Sequence, residues 1–222
     1  MRVYDLPVVF FDLDDSLINK DANSLWIKWR FKRERWAMVE AMQALASLYR
    51  AYKKGSVTHS RLSNYYRTRT RGMTLSEYQQ RVDEFFTERG NFHIYPQAAS
   101  LLFAYKRQGT ELVMITGSDD VVARAYAKEL GIPHVISNRL WEKSGEILGL
   151  QQPMCYGEGK VELARQFLAD RGLDFSHAAF YTDSHSDAPL LEKVAQPVVL
   201  NPNEALRDMA LQRHWPCLDW RN

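Results

Sequence analysis

The stretch VVFFDLDDSLINKD, residues 8–21, decides the fold. Val8 to Phe11 are β-branched or aromatic, too few for a helix, and bounded by Pro7 and an acidic cluster, so they read as a buried strand. Asp12, Asp14 and Asp15 then crowd at the strand's carboxyl end. Like charges so close together need a neutralising partner or a bound proton.

Working outward, the same arrangement recurs. ELVMIT (111–116) ends in Thr116-Gly117-Ser118, and AAFYT (178–182) runs into DSHSD (183–187). Further strands are expected at 134–137 and 197–201, a hairpin at 138–150, and helices at 97–107, 120–130, 160–171 and 188–194. Strand–helix alternation of this kind predicts an α/β fold, a Rossmann-like parallel sheet covered on both faces. Its active site belongs at the carboxyl ends of the strands. Polar, chemically useful residues follow each main strand, and GEGK (157–160) sets Lys160 at a helix start.

Between the first strand and this alternation lies a different region. Residues 19–91 hold 15 Lys and Arg against 7 Asp and Glu, net +8, while the rest of the chain holds 14 against 20, net −6. The overall charge of +2 therefore hides two regions with different duties. The expected division is a core of residues 1–18 and 92–222 with an inserted helical cap at 19–91. Helices are expected there from Asn23 to about Tyr52, at 59–69 and at 75–89, the last with a capping box of Thr74 and Glu77.

Composition is that of an ordinary globular chain, 45% hydrophobic and 25% charged over 222 residues, which fits one domain with an insertion and not a disordered chain. No run approaches the roughly 18 apolar residues of a membrane span. The N-terminus lacks a basic region leading into an apolar signal segment. A cytoplasmic location without a transmembrane segment is expected. Cys155 and Cys217 have neither a disulfide framework's number nor a metal site's spacing, so both read as reduced thiols.

The ordered set DLDDS (12–16), Thr116, Lys160 and DSHSD (183–187) resembles the haloacid dehalogenase (HAD) superfamily. The closest resemblance is to its subfamily IB, the phosphoserine phosphatase-like branch with a helical C1-type cap inserted after the first strand. The resemblance implies a phosphoric monoester hydrolase that uses Mg²⁺. It implies a metal held by the Asp12 carboxylate, the Asp14 carbonyl and the Asp183 carboxylate, with Asp187 supporting from behind. Asp12 would be the nucleophile, Asp14 the general acid and base, Thr116 a phosphoryl hydrogen-bond donor, and Lys160 a cation serving Asp12 and the phosphoryl group. The charge argument agrees, because Asp12, Asp14 and Asp183 in one cleft call for a hard divalent cation with oxygen ligands. Ser16 stands where Thr is commoner, and Ser184-His185-Ser186 where Gly- or Asn-containing loops are common.

Substrate contacts are expected from Gly117 and Ser118, from His185 unless it faces solvent, and from Asp21. The resemblance makes Asp21 a reader of a substrate ammonium group; equally it reads as the residue that starts a helix. The expected partner is a small phosphorylated metabolite, led by amino-acid-like esters such as phosphoserine or histidinol phosphate. Lipid head-group phosphatase and phosphotransferase activities remain open, and a basic nucleic-acid-binding module is the non-enzyme alternative, with no nucleic acid expected as partner.

Continued as one helix at 100° per residue, residues 23–52 place Ile27, Phe31, Met38, Met42, Leu45, Tyr49 and Tyr52 on a core face. Leu25, Trp26, Trp29 and Trp36 fall opposite, among Lys32 and Arg33. That second face fits packing within the cap, the substrate pocket, a dimer, or a peripheral contact with an anionic membrane. The run RTRTR (67–71) reads as a solvated helix end or as a patch steering anionic substrates.

Overall fold

Val8–Phe11 forms strand β1, and all four side chains are fully buried. The strand's period of two explains how both faces are used. Val9 and Phe11 enter one apolar layer with Met114 and Tyr181, and Val8 and Phe10 the other with Ile115 and Phe180. The computed structural model describes residues 3–53, 56–89 and 93–221, leaving aside the side chains of residues 35–38, 53 and 89. The expected boundary of the insertion at 91/92 lies outside the described residues.

After β1 come α1 (Ala22–Arg33), α2 (Arg35–Lys53), α3 (His59–Arg69) and α4 (Leu75–Arg89). The alternation follows: α5 (Pro96–Gln108), β2 (Glu111–Asp119), α6 (Asp120–Leu130), β3 (His134–Asn138), and the hairpin β4 (Leu140–Lys143) with β5 (Glu146–Leu150). The chain closes with α7 (Glu158–Ala169), β6 (Ala178–Thr182), α8 (Ala188–Leu191), β7 (Gln196–Leu200), α9 (Glu204–Gln212) and β8 (Cys217–Leu218). The main sheet has the order β3-β2-β1-β6-β7-β8 with parallel pairing throughout. The expected parallel sheet is thus the observed one, with β8 an extra edge too short to leave a sequence signal.

Two local devices position the site. Between Ile115 and Asp119 the register of β2 against β3 shifts, because four residues of β2 span what two residues of β3 span. Thr116-Gly117-Ser118 occupies that irregularity, which re-aims the strand end. In the first turn of α7, a Cβ on Gly159 would stand 1.9 Å from the Met154 carbonyl oxygen, so only glycine fits and Lys160 is delivered one residue later.

The single helix expected over 23–52 is corrected. α1 ends at Arg33, the chain bends at Glu34 (φ −127°, ψ 51°), and α2 starts at Arg35. No Gly or Pro marks this break; Arg30 and Glu34 pair across it, and the Glu34 N–H closes on the Arg30 carbonyl. With the phase lost after Glu34, the extrapolated core face fails in α2, while in α1 Ile27 is buried as expected and the opposite face is buried as well. Trp26, Trp29 and Leu25 are buried, whereas Met42, Tyr49 and Tyr52 are exposed. The Thr74–Glu77 capping box does form, Thr74 N–H donating to Glu77 and Glu77 N–H to Thr74 Oγ1.

Candidate active site

Asp12 leaves β1 with its N–H donated to the Tyr181 carbonyl at 2.9 Å, so it continues the sheet's hydrogen bonding for one residue. The chain then folds over itself: Ser16, Leu17 and Ile18 all donate N–H groups to the Leu13 carbonyl. Asp15 sits in the left-handed region (φ +51°), and its carbonyl accepts from Asn201 Nδ2 at 2.7 Å. It is a turn residue, as its place in the sequence implies.

Lys160 enters from the start of α7, with its side chain almost wholly buried. Its Nζ donates to Asp12 Oδ1 at 2.8 Å and to Asp187 Oδ2 at 2.7 Å. Burial alone would lower the ammonium's pKa, but the two carboxylates raise it, and Lys160 stays charged. Burial pushes the Asp12 carboxyl up to about 6, with the Lys160 charge opposing the rise and Asp187 adding to it.

Asp183 joins this pair through Ser16. Ser16 Oγ lies 3.4 Å from Asp12 Oδ2 and 3.1 Å from Asp183 Oδ1, and accepts the Asp183 N–H at 3.0 Å. Asp187 is held from behind by Thr182 Oγ1 at 2.7 Å, while its Oδ1 is buried without a hydrogen-bond partner. Burial, then the charges of Asp12, Asp15 and Asp187, drive the Asp183 carboxyl well above the usual carboxylate range. No group of three or more His, Cys, Asp or Glu side chains among the described residues is arranged to grip an ion by itself.

Asp14 points the other way, toward the inserted helices. Its Oδ1 accepts the Ala22 N–H at 2.6 Å and its Oδ2 accepts from Ser118 Oγ at 3.3 Å. Burial, then the charges of Asp21 and Asp12, raise its carboxyl well above the ordinary value. Asp21 is exposed and caps α1, accepting the Ser24 N–H at 2.5 Å, so its helix-starting role is realised beside Asp14.

The remaining sequence-predicted residues divide. Thr116 is fully buried, and its Oγ1 accepts the Ser118 N–H at 3.1 Å, leaving its hydroxyl proton to donate. The Gly117 carbonyl is occupied by Asn138 Nδ2 at 2.7 Å and by the Tyr66 hydroxyl at 3.3 Å. His185 lies exposed in a 3₁₀ turn, His185–Asp187, and no hydrogen bond joins it to the carboxylates.

The insertion contributes residues that sequence reasoning missed. Tyr52 reaches Ser184, with 2.8 Å between hydroxyl oxygens, and its ring meets Tyr156 edge-on. Asn23 Nδ2 donates to Ser118 Oγ at 3.1 Å. No local signal distinguishes either residue from other polar positions on a helix.

Of two further expectations about the insertion, one is corrected at Arg69, and for the other packing within the insertion is the alternative found at Trp26 and Trp29. The RTRTR run is not simply solvated: Arg69 is buried, paired with Asp119 at 2.7 Å and bonded to Tyr78 and Tyr65, its guanidinium 4.6 Å from the Trp26 ring centroid. Trp26 and Trp29 are covered within the chain, Trp26 against Tyr78 and Trp29 against Phe85, so neither indole is open to a dimer or membrane. The Trp36 side chain lies outside the described residues. Among them no helix is long and apolar enough to cross a membrane.

Comparison with known proteins gives the site a context. The family model for haloacid dehalogenase-like hydrolases matches residues 9–192. A probable phosphatase of Mycobacterium tuberculosis is 28% identical over 216 residues, 95% of this chain and 74% of that protein. A histidinol-phosphatase of Neisseria meningitidis is 27% identical over 222 residues, 96% of this chain and 99% of its own. Among solved structures, a protein of unknown function from Bordetella pertussis superposes with a TM-score of 0.85 at 25% identity, covering 96% of this chain and 98% of that one. A substrate-bound phosphoserine phosphatase superposes with a TM-score of 0.70 at 14% identity, covering 97% and 94%, a likeness of fold.

Proposed function

We propose, from the premise that this chain belongs to the haloacid dehalogenase-like hydrolase family, that it is a Mg²⁺-dependent phosphatase of a small phosphomonoester. One observation carries the reading: Lys160 bridges Asp12 and Asp187 at the base of the site, while Asp14 stands apart, held by Ala22 and Ser118, with its carboxyl pKa raised by burial.

An Asp12 oxygen attacks phosphorus, the bond to the leaving oxygen breaks, and the Asp14 proton passes to that oxygen, leaving an aspartyl-phosphate and a free alcohol. Water then attacks the phosphorus, Asp14 takes its proton, and Asp12 is released with inorganic phosphate. Lys160 and Thr116 stabilise the charge on the transferring group, and Lys160 orients Asp12. The residues fit a divalent cation, because one buried ammonium faces the carboxyls of Asp12, Asp183 and Asp187, and an Asp187 oxygen is buried without a partner. Asp12, Asp183 and the Asp14 carbonyl would hold Mg²⁺, which when bound supplies positive charge to the phosphoryl oxygens.

The inserted helices close over the site as a cap that excludes water and selects the leaving group. An amino-acid-like ester is the favoured substrate, since Asp21 places an exposed carboxylate beside Asp14 and a relative carries the name histidinol-phosphatase. The test is phosphate release from phosphoserine, histidinol phosphate, glycerol 3-phosphate and 4-nitrophenyl phosphate, with Mg²⁺ or EDTA. Turnover should require Mg²⁺ and vanish in Asp12→Asn. No release from any ester by folded, Mg²⁺-supplied protein defeats the proposal.

A further inference from the structure

A single run of donors links the buried arginine of the insertion to Asp14. Arg69 Nη1 donates to Asn23 Oδ1 at 2.6 Å, Asn23 Nδ2 to Ser118 Oγ at 3.1 Å, and Ser118 Oγ to Asp14 Oδ2 at 3.3 Å. Its direction is forced from the arginine end. A guanidinium only donates, so the oxygen of the Asn23 amide must face Arg69 and its NH₂ must face Ser118. The serine oxygen, having accepted, has its own hydrogen left for Asp14.

Arg69 is a firm starting point. Its side chain is wholly buried, paired with Asp119 and surrounded by Tyr65, Tyr66, Tyr78 and Trp26. Ser118 is fully buried too. At the far end, the Ala22 N–H holds the other Asp14 oxygen at 2.6 Å, so both oxygens of this carboxyl are pinned. Asn23 and Ala22 belong to α1, Arg69 to α3 and Ser118 to β2, so the run spans the junction between insertion and sheet.

We infer that Asn23 is a positioning residue: oriented by Arg69, it commits the Ser118 hydroxyl to Asp14 and so fixes the carboxyl that protonates the leaving group. This rests on the acid role of Asp14 proposed above. It also ties catalysis to the insertion's packing, because Asp14 is correctly held only when α1 and α3 are seated.

The test uses leaving groups. An aryl phosphate with a weakly basic leaving oxygen needs little proton donation, whereas an alkyl ester needs it fully. kcat/KM is measured on 4-nitrophenyl phosphate and on the alkyl ester of the above panel turned over fastest, for wild type, Asn23→Ala, Asn23→Asp and Asp14→Asn. Asn23→Asp is the decisive variant. Its carboxylate still faces Arg69 but accepts the Ser118 hydroxyl, turning it away from Asp14, so folding should be kept while the run is reversed.

In both Asn23 variants the alkyl ester should lose about tenfold and the aryl ester under about threefold, a part of the roughly hundred- to ten-thousandfold that a positioned acid contributes. Asp14→Asn should show the same selectivity, enlarged. If Asp14→Asn is selective while the Asn23 variants lose both esters equally or neither, the inference is overturned and the acid role stands. If Asp14→Asn is not selective, the acid role itself falls and the inference with it. Should Asn23→Ala fail to fold, Asn23→Asp carries the test alone.

Discussion

Tyr52, on α2 of the insertion, meets Ser184, in the loop after β6, with 2.8 Å between their hydroxyl oxygens. The pair lies 132 residues apart in sequence, and Ser184 directly follows Asp183. Tyr52 is 44% exposed, so this is a contact at the edge of the site and not part of a sealed core. A single such hydrogen bond contributes roughly 0.5–1.5 kcal/mol net. Tyr52→Phe should therefore raise KM about threefold with kcat little changed, as steady-state kinetics on the best substrate would record. A kcat loss at constant KM would contradict a closing role.

Stripped of divalent cations, the protein should lose stability as the pH rises. Asp12 titrates near 6 in the folded chain, above its ordinary value of 3.8, and Asp14 and Asp183 are raised as well. The folded state thus binds more protons than the unfolded one across this range, and stability falls with increasing pH. Melting in EDTA should show Tm lower at about pH 7 than at about pH 5, and Mg²⁺ should raise Tm more at the higher pH, where it replaces protons. A Tm indifferent to Mg²⁺ at neutral pH would remove the case for a metal at these carboxylates.

Gly159→Ala should harm the site without touching a charged residue. Its new Cβ would collide with the Met154 carbonyl oxygen, which is backbone and cannot swing aside. Relief requires a shift of the α7 start, and Lys160 moves with it. Overpacking of this kind costs about 1–3 kcal/mol, to be read in urea unfolding, with a loss of phosphate release exceeding the loss of folded protein. A control at Gly172, where a Cβ would meet nothing but φ is +68°, should lower stability while sparing turnover.

The two cysteines should separate cleanly toward a thiol reagent. Cys155 is fully buried, and burial pushes its thiol up to about 12, against the opposing charge of Lys160. Cys217 is exposed. Thiolate is the reactive form, so native protein should release one equivalent with a disulfide reagent and denatured protein two. Two equivalents from native protein would show the layer beneath Lys160 to be open.

The sheet and the frame of the site were legible in the sequence because their signals are local. Val8–Phe11 is an unbroken apolar run that stops at Asp12, and Thr116, Lys160 and Asp183 each follow a strand or open a helix within a few residues of an equally clear signal. Parallel topology then brings them to one sheet edge without further instruction. The insertion resisted the same treatment. A helical face projected from Asn23 to Tyr52 holds only while the helix is continuous, and the bend at Glu34, made without Gly or Pro, rotates every later residue out of phase. Arg69 reads as a surface charge until Trp26, Tyr65, Tyr78 and Asp119 are assembled around it, and Asn23 reads as any helix-start amide until Arg69 orients it. Local patterns of apolarity and turn chemistry could therefore determine which residues reach the sheet edge. Which polar groups are buried, and which way their hydrogen bonds run, was decided only by tertiary contacts, because a buried charge survives only where distant parts of the chain supply its partners.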